Sequence, residues 1–243
     1  MKTKIARYFN QSAHTYNAAA TVQNYIAQRL ALRLKDCSAK KILEIGCGTG
    51  ALSQYLYSLF PHASLLLTDV APAMVQTCRE RFSSYHRIKT LCLDGESLAL
   101  QTSFDLITSS MTLHWFENFN VGFKRIIDRL SPGGSFVFAM LGEHSLKEWG
   151  EMCEQFQVPV ATQKFLPKNL LKQEFPGLHL HTETFKQSYE NAYGFLTSLK
   201  SLGARASHAN HMPTSSGKLR QLLRHYNDEI YMTYEVIYGS YTR

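Results

Sequence analysis

Three acids and three glycines carry most of the chemistry legible in this chain. The stretch Ile42-Leu43-Glu44-Ile45-Gly46-Cys47-Gly48-Thr49-Gly50 sets an apolar run, an acid, and then glycines at alternate positions. That order describes a buried strand, a tight turn and a helix behind it, over Ala51 to Leu59. Glycine suits a turn against which a ligand presses, because it carries no side chain and accepts sharp backbone angles. A loop of this kind takes a nucleotide-like ligand at the carboxyl end of the first strand of an open α/β sheet. Asp69 closes the run Leu65-Leu66-Leu67-Thr68-Asp69, where an acid about 20 residues past the loop can hold ribose hydroxyls. Asp94 opens Asp94-Gly95-Glu96 after a third stretch, Ile88 to Leu93.

Two cofactor classes compete for the loop. Gly46-x-Gly48-x-x-Ala51 satisfies the dinucleotide fingerprint, which allows alanine at its last position. Glu44 weighs against it, because a carboxylate two residues before the first glycine sits poorly beside a pyrophosphate. It suits a cofactor with a cationic amino-acid end, such as S-adenosylmethionine. The sequence here resembles the class I S-adenosylmethionine-dependent methyltransferases, whose first motif is an acid followed by Gly-x-Gly-x-Gly. Further segments follow in the order of that family. Phe104-Asp105-Leu106-Ile107 resembles its fourth strand, and Leu130-Ser131-Pro132-Gly133-Gly134-Ser135-Phe136-Val137-Phe138 its helix stop, turn and fifth strand.

The resemblance implies a Rossmann-like α/β fold. Its sheet has seven mostly parallel strands, the last antiparallel and inserted beside the fifth, with helices on both faces. An N-terminal helix and an insertion before the last strand cover the active site. The implied cofactor contacts are Glu44, Gly46, Cys47, Gly48, Gly50, Asp69, Val70, Asp94, Gly95 and Ser110, with Asp94 facing the adenine amino group. No metal is implied.

Length and pattern agree with one domain over residues 1–243. Within it we expect an N-terminal lid over 1–35, a cofactor-binding core over 40–140 and a basic insertion over 191–227. Hydrophobic residues make up 44% and charged residues 19%, which marks a globular chain. No apolar run approaches the ~18 residues of a membrane span, and the N-terminus lacks the apolar core of a secretory signal. The five cysteines are odd in number and form no C-x-x-C pair, which points to reduced thiols in a cytoplasmic protein. His208 and His211 have no nearby acid or cysteine to complete a metal site.

Periodicity supplies the remaining elements. Ala19 to Lys35 carries Val22, Ile26, Leu30 and Leu34 as an i, i+4 ladder on one helix face. Leu146 to Phe156, Leu166 to Gln173, Ala192 to Leu202 and Leu219 to Tyr226 read as helices. Leu178 to Tyr189 reads as extended, with Leu178, Leu180, Thr182 and Thr184 forming its less polar face. Ile230 to Tyr241 reads as a closing strand.

Charge is unevenly spread. The net charge is +7, yet residues 1–35 and 191–227 contain no acid and hold 11 of the 26 basic side chains. The rest of the chain is slightly acidic, at 15 basic against 19 acidic residues. Two basic segments near a substrate mouth favour an acidic partner. Nucleic acid is disfavoured, since no RNA-binding module or dense Lys/Arg run is visible.

The flanks resemble a narrower family, the malonyl-acyl-carrier-protein O-methyltransferases of biotin synthesis. The matching elements are Phe9-Asn10-Gln11-Ser12-Ala13-His14-Thr15-Tyr16 with Gln23, Phe165-Leu166-Pro167, Ser198-Leu199-Lys200-Ser201-Leu202-Gly203-Ala204, and Met232-Thr233-Tyr234-Glu235-Val236-Ile237-Tyr238-Gly239. This resemblance implies methylation of the free carboxylate of a malonyl thioester carried on an acidic acyl carrier protein. A carboxylate is already a nucleophile near neutral pH, so no general base is required. Orientation of the acceptor matters instead.

The residues implied for that task are Tyr16, His114, Lys124 and Arg205. Relatives carry Asn and Gln at the positions of Ser110 and His114, so this chain departs from the pattern there. Arg125 adjoins Lys124 as an alternative cation. Two other readings stay open: a methyltransferase for another small acid or a quinone precursor, and a catalytically silent relative that only binds a partner.

Overall fold

The computed structural model describes residues 2–160, 162, 165–204 and 216–243. Its strands are β1 (Lys41–Ile45), β2 (Ser64–Asp69), β3 (Ile88–Cys92), β4 (Phe104–Ser110), β5 (Leu130–Leu141), β6 (His179–Tyr189) and β7 (Ile230–Thr242). They form one sheet in the order β3-β2-β1-β4-β5-β7-β6. Strands β1 to β5 pair in parallel, and β7 runs antiparallel to both of its neighbours, β5 and β6. The strand order reverses between β1 and β4, and a crevice opens at the carboxyl ends of such a pair. Four of the five residues of β1 are buried, as expected for a central parallel strand covered on both faces.

Ten helices among the described residues dress the sheet. They are α1 (Lys2–Ser12), α2 (Tyr16–Ala19), α3 (Thr21–Leu32), α4 (Ser53–Leu59), α5 (Pro72–Arg81), α6 (Phe119–Asp128), α7 (Lys147–Gln155), α8 (Lys168–Glu174), α9 (Ala192–Ser201) and α10 (Ser216–His225). A short 3₁₀ turn, Leu113–Trp115, follows β4. Local chemistry sets several of their ends. Pro72 stands in the first turn of α5, where its missing N–H costs nothing. Asn118 and Asn191 cap α6 and α9, accepting from the N–H groups of Val121 (3.2 Å) and Gly194 (2.8 Å). Two apolar layers result. Leu30, Ile42, Leu67, Trp149 and Phe195 belong to one, and Leu43, Ile107, Phe123, Phe136 and Phe138 to the other.

The helix expected over Ala19 to Lys35 is α3, shorter by a few residues at each end. The backbone of Ala20 leaves helical values (ψ 33°), so α2 and α3 are separate. The ladder itself holds, with Val22, Ile26, Leu30 and Leu34 all buried. Strand β6 also differs. Its expected inner face persists through Thr182, but Thr184 is exposed, while Glu183, Phe185, Gln187 and Tyr189 on the opposite face are half-buried. The cause is α3 and α9, which lie on that opposite face. Tyr25 packs edge-on to Phe185 at 4.7 Å, and Phe195 packs edge-on to Tyr189 at 5.1 Å.

The same packing redirects part of the basic N-terminal segment. Arg29 on α3 pairs with Glu183 at 3.2 Å, and the Arg33 guanidinium lies 4.2 Å from the centre of the Tyr238 ring. Among residues 1–35, these two cations therefore serve the sheet edge and not the mouth of the crevice.

Glu96 joins the loop after β3 to the start of α6. Its buried carboxylate accepts the N–H groups of Glu117 and Asn118, each at 2.9 Å, and Arg125 donates to its carbonyl at 3.2 Å. Glu96→Ala should strip both part-buried N–H groups of their acceptor. We expect a loss of about 3 kcal/mol and a melting temperature lower by roughly 6–12 °C in calorimetry. A variant melting with the wild type would remove this brace from the account.

Candidate active site

The glycine loop leaves β1 and is fastened twice to β2. The N–H groups of Gly46 and Cys47 donate to the Thr68 carbonyl at 2.7 and 2.9 Å. The Asp69 carboxylate accepts from Gly48 N–H at 3.0 Å and from Ala71 N–H at 2.8 Å. Gly48 adopts a positive φ of 52°, and a Cβ built there would meet no atom within 4 Å. Backbone conformation and open space, not packing, keep this position bare.

In front of the loop lies an open cleft. Gly46, Gly48, Asp69, Val70, Asp94, Gly95 and Ser110 border it. Helix α1 adds Ile5 and Phe9, and the 3₁₀ turn adds Trp115. These residues fit a nucleoside with an amino-acid tail. Asp69 keeps lone-pair capacity beyond its two backbone donors, enough for a pair of hydroxyls. Burial pushes its carboxyl up, while the N–H groups of Ala71, Gly48 and Val70 hold it down.

A second cavity adjoins the first. Phe9, Tyr16, Met111 and Trp115 border both. Met111 holds a left-handed backbone (φ 57°) at this junction, an unusual conformation for a residue with a side chain. Beyond the shared wall the lining is Gln23, His114, Leu141, Leu146, Thr162, Phe165, Leu199, Leu202, Ala204 and Tyr234. No Lys, Arg, Asp or Glu borders this cavity among the described residues. Burial drives His114 down to about 3, so its imidazole is neutral at physiological pH. Burial and the nearby Asp69 charge push the Tyr16 phenol well above its ordinary value, so it keeps its proton.

Side-chain hydrogen bonds hold the lid over both spaces. Asn10 on α1 accepts from Ala73 N–H at 2.8 Å, in the first turn of α5. Thr49 of the loop donates to Asn17 on α2 at 2.6 Å. Ser12 and Thr15 donate to the carbonyls of Lys200 and Ser201, at 3.2 and 2.9 Å, and so tie the lid to the end of α9.

The structure gathers most of the residues singled out from sequence, but not all. Seven of the ten cofactor candidates border the first cavity. Glu44, Cys47 and Gly50 stand behind it. Glu44 is 1% exposed and accepts from the Ser53 hydroxyl at 2.6 Å. Its carboxyl thus braces the loop against α4. A Cβ at Gly50 would strike the Phe82 ring at 2.5 Å, so that glycine serves packing. Tyr16 reaches both cavities and His114 the second.

Lys124 is exposed on α6 and is not among the residues that border either cavity. The alternative, Arg125, is engaged with the Glu96 carbonyl. Arg205, His208 and His211 lie outside the described residues. Among the cavity-lining residues that pattern reasoning passed over are Ile5, Met111, Leu141 and Leu146. None carries a chemical signature, and only their place in the fold brings them in.

The sheet order, the glycine loop and its acids define a class I methyltransferase, the enzyme class that draws its methyl group from S-adenosylmethionine. Comparison with known proteins agrees. The Methyltransferase domain family matches residues 42–134. The YcgJ protein of Bacillus subtilis shares the fold, with a TM-score of 0.64 at 14% identity over 90% of this chain and 98% of that one. Malonyl-acyl-carrier-protein O-methyltransferase of Magnetococcus marinus is 30% identical over 99% of this chain and 92% of its own length. The Biotin biosynthesis bifunctional protein BioCD of Bordetella avium is 34% identical over 98% of this chain, which spans 52% of that longer protein. The chain belongs to the malonyl-acyl-carrier-protein O-methyltransferase family.

Burial pushes the Glu44 carboxyl up to about 8, with a smaller opposing effect from the Ser53 hydroxyl. The folded protein therefore holds a proton that the unfolded chain releases above the ordinary carboxylate range. Stability should fall as pH rises toward 8, by at most about 1.4 kcal/mol per pH unit from this group. Glu44→Gln cannot titrate and should flatten that slope in thermal melts taken between about pH 5 and 8. An equal slope in wild type and variant would contradict the assignment.

Proposed function

We propose that the protein transfers the methyl group of S-adenosylmethionine to the free carboxylate of malonyl-acyl carrier protein, giving the methyl ester as an early step of biotin synthesis. The observation that carries this reading is the second cavity. General methyltransferase motifs border the first cavity, whereas Phe165, Leu199, Leu202, Ala204 and Tyr234, all from the family-specific segments, border the second. The acceptor thus has a chamber of its own beside the methyl donor.

When bound, S-adenosylmethionine supplies a methyl group on a positively charged sulfur. Asp69, Asp94 and the loop glycines would hold the nucleoside end. Tyr16, Phe9, Met111 and Trp115 stand at the junction through which the methyl must pass. A largely apolar wall keeps water from the acceptor, and in-line transfer there cancels a positive and a negative charge. Neutral His114 and protonated Tyr16 can donate hydrogen bonds that orient a carboxylate without neutralising it. Neither is needed as a base, because the acceptor arrives ionised. The work left to the chain is alignment.

The carrier is the acidic partner of this reading. Lys4 and Arg7 on α1 and Lys200 on α9 stand on helices that border the cavities. Such charges mainly speed encounter and weaken with salt. Five free thiols suit a cytoplasmic setting, and no helix among the described residues is long and apolar enough to cross a membrane.

The test is direct. Labelled S-adenosylmethionine and malonyl-carrier should yield a methyl ester by mass spectrometry, whereas acetyl-carrier, which lacks the free carboxylate, should yield none. Added salt should raise KM for the carrier. The pH profile of kcat/KM should show no inflection in the ordinary histidine range, since His114 titrates near 3. Methylation of another small acid or quinone precursor in place of malonyl-carrier would overturn the reading, as would cofactor binding without turnover.

A further inference from the structure

A groove runs over the surface between the start of α3, the end of β6 and α9. Ala18, Val22, Ser188, Tyr189, Gly194 and Ser198 are among its lining residues. Gly194, Ser198 and Leu202 recur every four residues and so share one face of α9. The lining is neutral apart from Glu190, with no Lys or Arg among the described residues. The groove ends against the acceptor cavity, because Gln23, Leu202 and Tyr234 border both.

Those three residues make an uneven partition. Tyr234 is fixed, since its hydroxyl meets that of Tyr189 at 2.6 Å. Gln23 is not fixed in this way. Its side-chain carbonyl oxygen is buried and has no hydrogen-bond partner among the described residues. A buried polar atom without a partner is uncommon and calls for a reason. It can move without breaking a bond, and it offers an acceptor to an N–H group arriving along the groove.

We infer that the acyl carrier's tether, a neutral flexible chain bearing amide groups, lies in this groove and crosses into the acceptor cavity at Gln23. The inference rests on the carrier-linked acceptor proposed above. A neutral polar lining matches such a chain better than it matches a phosphate or a carboxylate, for which a cation would be needed. The amide N–H of the tether supplies the missing partner of Gln23. The carboxylate end then reaches the junction at Tyr16, and the carrier itself stays outside.

Plugging the groove tests this. Ala18 and Ser188 border the groove and neither cavity. Ala18→Trp and Ser188→Trp should raise KM for malonyl-carrier by about tenfold or more, while KM for S-malonyl-N-acetylcysteamine and affinity for S-adenosylhomocysteine hold. Ala18→Ser and Ser188→Ala should behave as wild type. Thr21→Trp, at the same rim, replaces either plug whose melting temperature falls. Unchanged KM for malonyl-carrier in correctly folded plugged variants would overturn the route. Equal losses for carrier and short thioester would overturn it too, since the plug would then be acting on the active site. Wild-type protein inert toward malonyl-carrier would instead remove the acceptor reading on which the route depends.

Discussion

The Asp69 carboxylate is the joint on which the rest of the site depends. One oxygen accepts from the glycine loop and the other from the turn leading into α5. Burying a carboxylate is unfavourable unless donors surround it, and backbone N–H groups supply that compensation here. The loop then keeps its shape without help from bulky side chains. The turn into α5 is held as well, and α5 receives the lid at its first turn through Asn10. Cofactor cavity, loop and lid are thus linked to one group that is also placed to meet the ligand.

Around this charged joint the acceptor side is built on the opposite principle. Its lining is apolar and neutral among the described residues, and its histidine is kept uncharged by burial. A site that must join a cation to an anion gains little from a further fixed charge, which would compete for one of them. It gains from dryness and from alignment. Cationic side chains stand instead on the outer helices, where they can act on a partner's approach. Two of them, Arg29 and Arg33, are engaged with Glu183 and Tyr238 and serve the sheet.

Much of this was legible in the sequence, for physical reasons that differ by element. Strands β1, β2, β4 and β5 were plain because central strands buried on both faces need apolar runs, whereas the exposed edge strand β3 was found by its place in the motif order. The acids at their ends were plain because little else explains a carboxylate at the close of such a run. The brace from Glu44 to Ser53 was not legible, because spacing places a residue along a strand but does not say whether it faces a cavity or lies beneath it. The exposed position of Lys124 was not legible either, because charge type alone does not fix which side of α6 a residue takes. The switch of inner face along β6 depends on α3 and α9 crossing it, a tertiary arrangement that alternation within one strand cannot encode. Met111 and Leu146 reach the acceptor cavity through backbone turns, and both have positive φ. Neither residue type announces such a turn.

The most direct measurement of the central claim is calorimetric titration of S-adenosylhomocysteine into wild-type protein and Asp69→Ala. If the Asp69 joint forms the cofactor site, the wild type binds. The variant should then bind about 10- to 100-fold more weakly, the span expected for lost hydrogen bonds to a charged group, while it still melts cooperatively. Equal affinity in the two proteins would contradict the account, and so would a wild type that ignores S-adenosylhomocysteine but binds NAD.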